Sequence, residues 1–257
     1  MYIDSHAHLS SSDVLPQING VMERASAAKV NRIVNICTDE TTLKEGLVLK
    51  KRFPFVYNAA AATPHDVEKI GEQFFPLVKK AAEGGDLIAI GETGLDYHYE
   101  HSNRAVQQEH LLRYFELAKQ VKLPIIFHCR DAFEDLFALA DKHYAGCSAV
   151  LHCFTGNEKE AKGVIERGWY LSVSGIATFK KSEELRTAIR AATLDRILTE
   201  TDTPYLAPQS RRGKPNEPSY MIETVQMLAA LFGKSLEEMA RITSANADQF
   251  FSFSKRP

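Results

Sequence analysis

The sequence predicts a TIM (β/α)8 barrel, an α/β fold, formed as a single domain over residues 1–257. Two observations predict this fold. Eight short apolar runs alternate with amphipathic helical runs, and eight is the number of parallel strands that closes such a barrel. No GxGxxG or P-loop pattern follows the first strand, which disfavours the main rival, an open doubly wound sheet. Length alone would also permit two modest domains.

The predicted strands are rich in β-branched and aromatic residues. In chain order they cover residues 2–8, 31–38, 55–63, 87–94, 124–130, 149–155, 169–175 and 197–202. Helices are predicted between them. Residues 105–122 place Leu111 and Phe115 on one face at helical spacing, and residues 157–168 begin with Asn and an acidic turn and end with Gly. The long irregular segment 203–220 follows the last strand, where a barrel carries a functional loop.

The composition predicts a cytoplasmic enzyme with a local binding site. The net charge of −2 excludes a generally basic protein that coats nucleic acid, so a polyanionic substrate must meet a local patch or metal charge. The N-terminus lacks a secretory pattern, and no run reaches the ~20 apolar residues of a membrane span. The four cysteines form no CxxC pair, and the sequence indicates no obligate protein partner.

Metal-capable side chains recur at the ends of the predicted strands. Alternate side chains of a strand point to the same side, so His6 and His8 in DSHAH should emerge together. Taken singly, each candidate could be an ordinary core or surface group. The full set is His6, His8, Glu92, His128, His152 and Asp202. Because barrel enzymes keep their chemistry at the C-terminal ends of the strands, these side chains should converge at the mouth.

This ligand set predicts two divalent metal ions. Four histidines and two carboxylates suit Zn²⁺ or Mn²⁺, and the carboxylates also admit Mg²⁺. Six ligands exceed what one open catalytic zinc needs, so we expect two ions bridged by Glu92, from its place at mid-sheet.

The motifs that hold these residues resemble those of a known family. DSHAH, GETGLDY, FHCRD, LHCFTG and TDTPYLAP, followed by RRGKPNEP, look like the TatD family of metal-dependent deoxyribonucleases, in the amidohydrolase superfamily. The match runs from residue 2 to about residue 251, in the family's order. The resemblance implies a TIM barrel, metal-dependent phosphodiester hydrolysis and the same six metal ligands. Two motifs depart from the family: Thr63-Pro64-His65 replaces His-Pro-His, and Arg211-Arg212-Gly213 replaces His-Arg-Gly.

Two residues are predicted to act in catalysis, namely Glu92 as the metal bridge and Asp202. Two cations can hold a phosphate oxygen and lower the pKa of a bound water. Asp202 is the candidate to orient that water and accept its proton, although it could be only a ligand. Glu200 shares a face with Asp202 one layer deeper, which predicts support of a ligand or filling of the barrel.

Four residues are predicted to contact the substrate: Arg130, His65, Phe154 and Arg212. Arg130 shares the side of His128 and could bind a phosphate, the alternative being a surface ion pair. Phe154 shares the side of His152 and could stack on a base, although plain packing is the alternative. His65 could contact phosphate or have no role. Arg212 belongs to a basic patch with Arg211 and Lys214, while Cys129 and Cys153 should face the helices.

The leading functional hypothesis is a deoxyribonuclease that acts on DNA ends or single strands, of the 3'-5' exonuclease type. The alternative is a small-molecule amidohydrolase that opens a cyclic amide or ester on the same barrel. Many members of that superfamily bridge their metals with a carboxylated lysine after strand four, and here Glu92 stands there with no lysine nearby. A metal-binding scaffold without catalysis is a third possibility, which the complete ligand set disfavours.

Overall fold

Eight parallel strands follow one another in chain order around one sheet. The computed structural model describes residues 1–253, so the last four residues of the predicted domain, 254–257, lie outside the described part. The strands are β1 (Tyr2–Ala7), β2 (Val30–Cys37), β3 (Val56–Ala60), β4 (Leu87–Asp96), β5 (Ile125–Arg130), β6 (Ala149–Leu151), β7 (Tyr170–Val173) and β8 (Ile197–Thr199). The chain just past β8 returns to β1, where the Asp202 amide donates to the His6 carbonyl at 2.9 Å. This closure confirms the predicted TIM barrel.

The helices alternate with the strands and cover the outside of the barrel. They are α1 (Ile18–Ala27), α2 (Glu40–Arg52), α3 (Val67–Glu83), α4 (Arg104–Val121), α5 (Phe133–His143), α6 (Glu158–Glu166), α7 (Glu183–Arg190), α8 (Met221–Phe232) and α9 (Leu236–Phe251). The capping signal of α6 is realised, because the Asn157 side chain accepts the Glu160 amide and the Glu160 carboxylate accepts the Asn157 amide. None of the helices within residues 1–253 is both long and apolar enough to cross a membrane.

The barrel is filled from the end where the strands begin. Inward side chains such as Ile3, Ile88 and Leu198 form one apolar cluster with Phe250 and Phe251 at the end of α9. A larger apolar cluster lies between the strands and the helices. Within residues 1–253 these packed aromatic rings lie at the end where the strands begin, and the large cavity lies at the end where the strands finish.

Six strands end earlier than predicted, and three of these changes move predicted metal ligands off a strand. β1, β6 and β8 end at Ala7, Leu151 and Thr199, so His8, His152 and Asp202 lie on the loops just beyond them. β4 instead continues two residues past its predicted end, because Asp96 pairs with Arg130 of β5. Side chains therefore alternate between the two sides of the strand as far as Asp96 on β4, but only as far as Leu151 on β6.

Candidate metal centre

The six predicted ligand residues converge at the open end of the barrel. They lie at the floor and wall of a cavity of about 840 Å³, or directly beneath it in the case of the fully buried His6. Four groups of three ligating side chains have their ligand atoms within 4.8 Å of one another, and together these groups contain all six. The predicted convergence is thus present in the fold.

Glu92 lies at the middle of this arrangement, and its two oxygens face different partners. Its Oε2 atom lies 3.5 Å from His6 Nε2 and 3.9 Å from His8 Nε2. Its Oε1 atom lies 2.8 Å from His128 Nδ1 and 2.9 Å from His152 Nε2. The carboxylate therefore connects two ligand groups, one from β1 and one from β5 and β6.

Asp202 completes the group on the β1 side. Its Oδ1 atom lies 3.6 Å from His6 Nε2 and 3.4 Å from His8 Nε2. Its backbone adopts a left-handed conformation, with φ of 60°, which Asp tolerates better than most residues. The loop thus turns its carboxylate back over the histidine pair.

The electrostatics keep both carboxylates ionised. Burial by itself would raise the pKa of Glu92, but the charge of His152 and the contact with His128 hold that pKa well below its usual range. Burial likewise opposes ionisation of Asp202, and the contact with His8 lowers its pKa. Metal ligands must be deprotonated, so these carboxylates are in the state that a cation needs.

The side chains present fit divalent cations. The Nε2 atoms of His6 and His8 are only 3.3 Å apart, with carboxylate oxygens facing both. Lone pairs so close together require a shared proton or a shared cation between them. Burial and the charge of His152 lower the pKa of His6, which favours the neutral imidazole that binds metals. Imidazole nitrogen and carboxylate oxygen are the donors expected for Zn²⁺ or Mn²⁺.

Asp96 belongs to the site and was missed by the sequence analysis. Its Oδ2 atom lies 2.8 Å from His128 Nε2 and 3.6 Å from His65 Nε2, and these three residues form a further group able to hold a cation. Its Oδ1 atom accepts the amides of His98 and Tyr99. Burial would raise its pKa, but the bond to His128 lowers it to about 2. The available signal was that Asp96 follows Glu92 by four residues, on the same side of an extended β4.

Two further buried carboxyl groups, Asp4 and Glu200, contact the loops and side chains of the predicted ligands. Asp4 accepts the Thr201 amide at 3.0 Å and the Thr201 hydroxyl at 2.6 Å, which ties β1 to the loop that carries Asp202. Burial raises the pKa of Asp4 to about 7. Glu200 accepts the Cys153 amide at 2.6 Å and lies 3.4 Å from His152 Nδ1, a position that suits the predicted support of a ligand. The sequence analysis did not single out Asp4.

Two of the four predicted substrate contacts line the cavity. Arg130 lies in the wall with its guanidinium 4.7 Å from the centre of the Tyr99 ring. His65 lies there too, on the loop after β3, with its ring 5.2 Å from that of His128. Arg212 is exposed on the loop after β8 and packs over Phe179, 4.9 Å away, outside the cavity wall as far as the structure describes it.

The predicted base contact by Phe154 is wrong. Its ring is 2% exposed and packs edge-on against Phe133 in the core. The prediction extended strand alternation past Leu151, where β6 has already ended. The same error affects Cys153, which was expected to face the helices. It has a left-handed φ of 41° and places its sulfur 3.2 Å from Ser174 Oγ in the cavity wall. Cys129 belongs to the outer apolar cluster, as predicted, and also borders the cavity.

A closed β/α barrel with four histidines and two carboxylates at its mouth defines the class of metal-dependent barrel hydrolases. Comparison with known proteins makes this more specific. The family profile described as TatD related DNase matches residues 3–252, and the chain belongs to this family.

The relatives share the whole length of the chain. An uncharacterized metal-dependent hydrolase YabD of Bacillus subtilis is 36% identical, over 98% of this chain and 99% of that protein. The 3'-5' ssDNA/RNA exonuclease TatD of Salmonella typhimurium is 30% identical, over 96% and 98%. The crystal structure of YJJV, a TatD homolog from Escherichia coli, superposes with a TM-score of 0.92 at 26% identity, covering 98% of both chains. The chain is therefore a metal-dependent hydrolase of the TatD family.

Proposed function

We propose that this enzyme hydrolyses phosphodiester bonds at the ends of single-stranded DNA, as a 3'-5' exonuclease. The observation that carries the proposal is the position of Glu92, whose two oxygens face two separate groups of metal ligands. Such a bridged pair of sites suits in-line displacement at phosphorus. The Salmonella typhimurium relative is named a 3'-5' ssDNA/RNA exonuclease, which supports the same substrate class.

We propose that the six ligands hold two divalent ions, Zn²⁺, Mn²⁺ or Mg²⁺. When bound, the ions supply Lewis-acid stabilisation of the phosphate and a water of lowered pKa. Glu92 faces His6 and His8 through one oxygen and His128 and His152 through the other, so it would be the ligand shared by the two sites. Asp202, on a loop that opens to the cavity, is placed to orient the attacking water and to take its proton.

Arg130 and His65 are proposed to bind phosphates that flank the scissile bond. Arg130 lies in the cavity wall against Tyr99 and forms no salt bridge within residues 1–253, so its charge is available to a bound anion. An Arg guanidinium binds phosphate oxygens with two parallel hydrogen bonds. This arrangement suits a flexible strand end, whose phosphates can enter a mouth that a rigid duplex cannot.

We further propose that the barrel acts as one domain in the cytoplasm. All four cysteines are free, and Cys37 is buried with its pKa raised by burial to about 12, which makes it an inert thiol. Unpaired cysteines are typical of a reducing compartment.

One assay tests the proposed reaction against its alternative. Metal-stripped protein is incubated with end-labelled single-stranded and double-stranded oligonucleotides and with cyclic amides, adding Mg²⁺, Mn²⁺ or Zn²⁺ in turn. We expect progressive shortening of the single strands from the 3' end. Turnover of the cyclic amides without cleavage of any oligonucleotide would contradict the proposal and support a small-molecule amidohydrolase.

The basic loop after β8 is predicted to add a modest, salt-sensitive attraction. Arg211 lies 3.6 Å from Glu223, so its charge is partly offset, while Arg212 and Lys214 are exposed. Replacing all three by alanine should remove about two effective charges and reduce the slope of log Kd against log salt by roughly 1 to 1.5 for a single strand. Metal content should not change.

The matched control for this loop is an alanine triple at Lys50, Lys51 and Arg52, which end α2 at the opposite face of the barrel. Binding of a labelled single strand is measured for both triples across a salt series. Identical slopes for the loop variant and wild type would show that the loop does not hold the nucleic acid.

A further inference from the structure

The two sides of the cavity differ in chemistry. The side formed after β3, β4 and β5 carries His65, His98 and Arg130. The opposite side, formed after β7 and β8, carries Ile176, Tyr205 and Leu206, which are apolar or aromatic. The metal-capable cluster lies between them, so a substrate seated there meets polar and charged groups, Arg130 among them, on one side and an apolar wall on the other.

Tyr205 is the most exposed part of the apolar wall. Only four large hydrophobic side chains of the described residues are strongly exposed, and Tyr205, at 52%, is one of two that line this cavity. Its ring meets that of His8 at 5.7 Å between centres, nearly perpendicular, which places it beside the metal ligands. A large exposed ring next to a reactive centre indicates a surface that a ligand covers.

The backbone holds this ring in a fixed position. The Tyr205 amide donates to the Asp202 carbonyl at 2.7 Å. Buried Asn216 donates from its Nδ2 atom to the carbonyls of both Tyr205 and Thr201, at 2.8 and 2.6 Å. The neighbouring loop packs so closely that a Cβ at Gly175 would lie 2.3 Å from the Leu206 carbonyl oxygen. The wall is therefore preorganised, which reduces the entropy lost when a flat ligand binds.

Tyr99, the other exposed ring of the cavity, differs from Tyr205 because other side chains lie against its ring. It is also 52% exposed, but Arg130 lies 4.7 Å from its ring centre and the His101 ring stacks on it at 5.4 Å. These two neighbours lie against the flat faces of the Tyr99 ring. No stacked aromatic or guanidinium contact of Tyr205 occurs within residues 1–253, and the perpendicular His8 ring can cover only one of its flat faces, so at least one face is available to a ligand.

We propose that Tyr205, with Leu206 and Ile176, forms a subsite for one nucleobase next to the scissile phosphodiester. This proposal rests on the proposed nuclease function. It assigns a binding position to the nucleobase, which the metal ions do not contact. Every nucleobase has a flat aromatic face, so stacking on Tyr205 tolerates any sequence. A base inside a duplex has both faces covered by its neighbours and cannot also lie on Tyr205, so the subsite favours single-stranded or frayed ends over the interior of a duplex.

The test compares oligonucleotides that carry one abasic nucleotide at each of the three positions nearest the cleaved end. For wild type, kcat/KM for the first cleavage should fall about 5- to 100-fold at one of these positions, the effect expected for loss of one stacked base. Tyr205→Ala should cleave the intact strand slower by a similar factor and should show no further loss on that abasic strand. Tyr205→Phe should behave as wild type, because stacking uses the ring and not the hydroxyl.

Tyr99→Ala is the matched control, since it removes an equally exposed ring from the same cavity. It should keep the wild-type discrimination between intact and abasic strands, whatever it does to the overall rate. If wild type is indifferent to all three abasic positions, or if Tyr205→Ala or Tyr205→Leu retains the full discrimination, the base subsite is wrong while the nuclease function stands. If wild type cleaves no intact oligonucleotide with any metal, the proposed function itself fails, and the subsite with it.

Discussion

Replacing Glu92 by alanine, or Asp202 by asparagine, should lower kcat on a single-stranded oligonucleotide by about 1,000-fold or more while the barrel stays folded. Glu92 is the carboxylate whose two oxygens face the two ligand groups, so its loss removes that connection between them. Asp202→Asn keeps the size of the side chain but removes the charge and the proton acceptor. Neither side chain belongs to the apolar clusters that hold the barrel together.

The control for this experiment is Glu83→Ala, which removes an exposed carboxylate at the end of α3, away from the mouth. Its kcat should equal that of wild type. Far-ultraviolet circular dichroism and the unfolding temperature, both measured with chelator present, report the fold of each variant. Near-normal turnover by Glu92→Ala or Asp202→Asn would show that the assigned roles are wrong.

Removing the metals should abolish hydrolysis and also lower the stability of the protein. An ion that binds only the folded state stabilises it by about 2.7 kcal/mol at a concentration 100 times its Kd. For a chain of this length 1 kcal/mol corresponds to roughly 2–4 °C, so two ions should raise the unfolding temperature by about 10 °C or more. The measurement is thermal unfolding of stripped protein titrated with Mn²⁺ or Zn²⁺.

Variants show whether this stabilisation comes from the centre described above. Glu92→Ala should lose most of the metal-dependent shift, because it lacks the carboxylate whose two oxygens face the two ligand groups. The triple alanine variant at Arg211, Arg212 and Lys214 should keep the whole shift. An equal shift in Glu92→Ala and wild type would mean that the stabilising ions bind elsewhere.

Sequence reasoning reached the fold and the convergence of six metal-capable side chains because both depend on regular features. Strand–helix alternation sets the barrel, and parallel strands of a barrel all end at one face, so strand-end residues such as His128 and Asp202 must meet. Those inferences require only that one knows which residues lie near the end of a strand. They tolerate errors of a few residues in the strand boundaries.

The predictions that failed needed an accurate strand end or a tertiary neighbour. Phe154 was placed by alternation beyond the last residue of β6, and its ring is in the core. Asp96 was missed because β4 was expected to end at residue 94, two residues too early. Asp4 supports Thr201, which is distant in sequence, and no local pattern reveals that contact. The exposure of Tyr205 likewise depends on how two loops pack.

The most direct test is the number and position of metal ions in wild type and in Glu92→Ala. Both proteins are stripped, reloaded with Mn²⁺ or Zn²⁺, and examined by metal analysis and by anomalous diffraction from crystals. We predict about two ions per wild-type chain, on either side of the Glu92 carboxylate, as expected for a two-metal site. Glu92→Ala should retain one ion or none, and Glu83→Ala should retain both. No ion in reloaded wild type, or both ions retained in place by Glu92→Ala, would contradict a centre that Glu92 bridges.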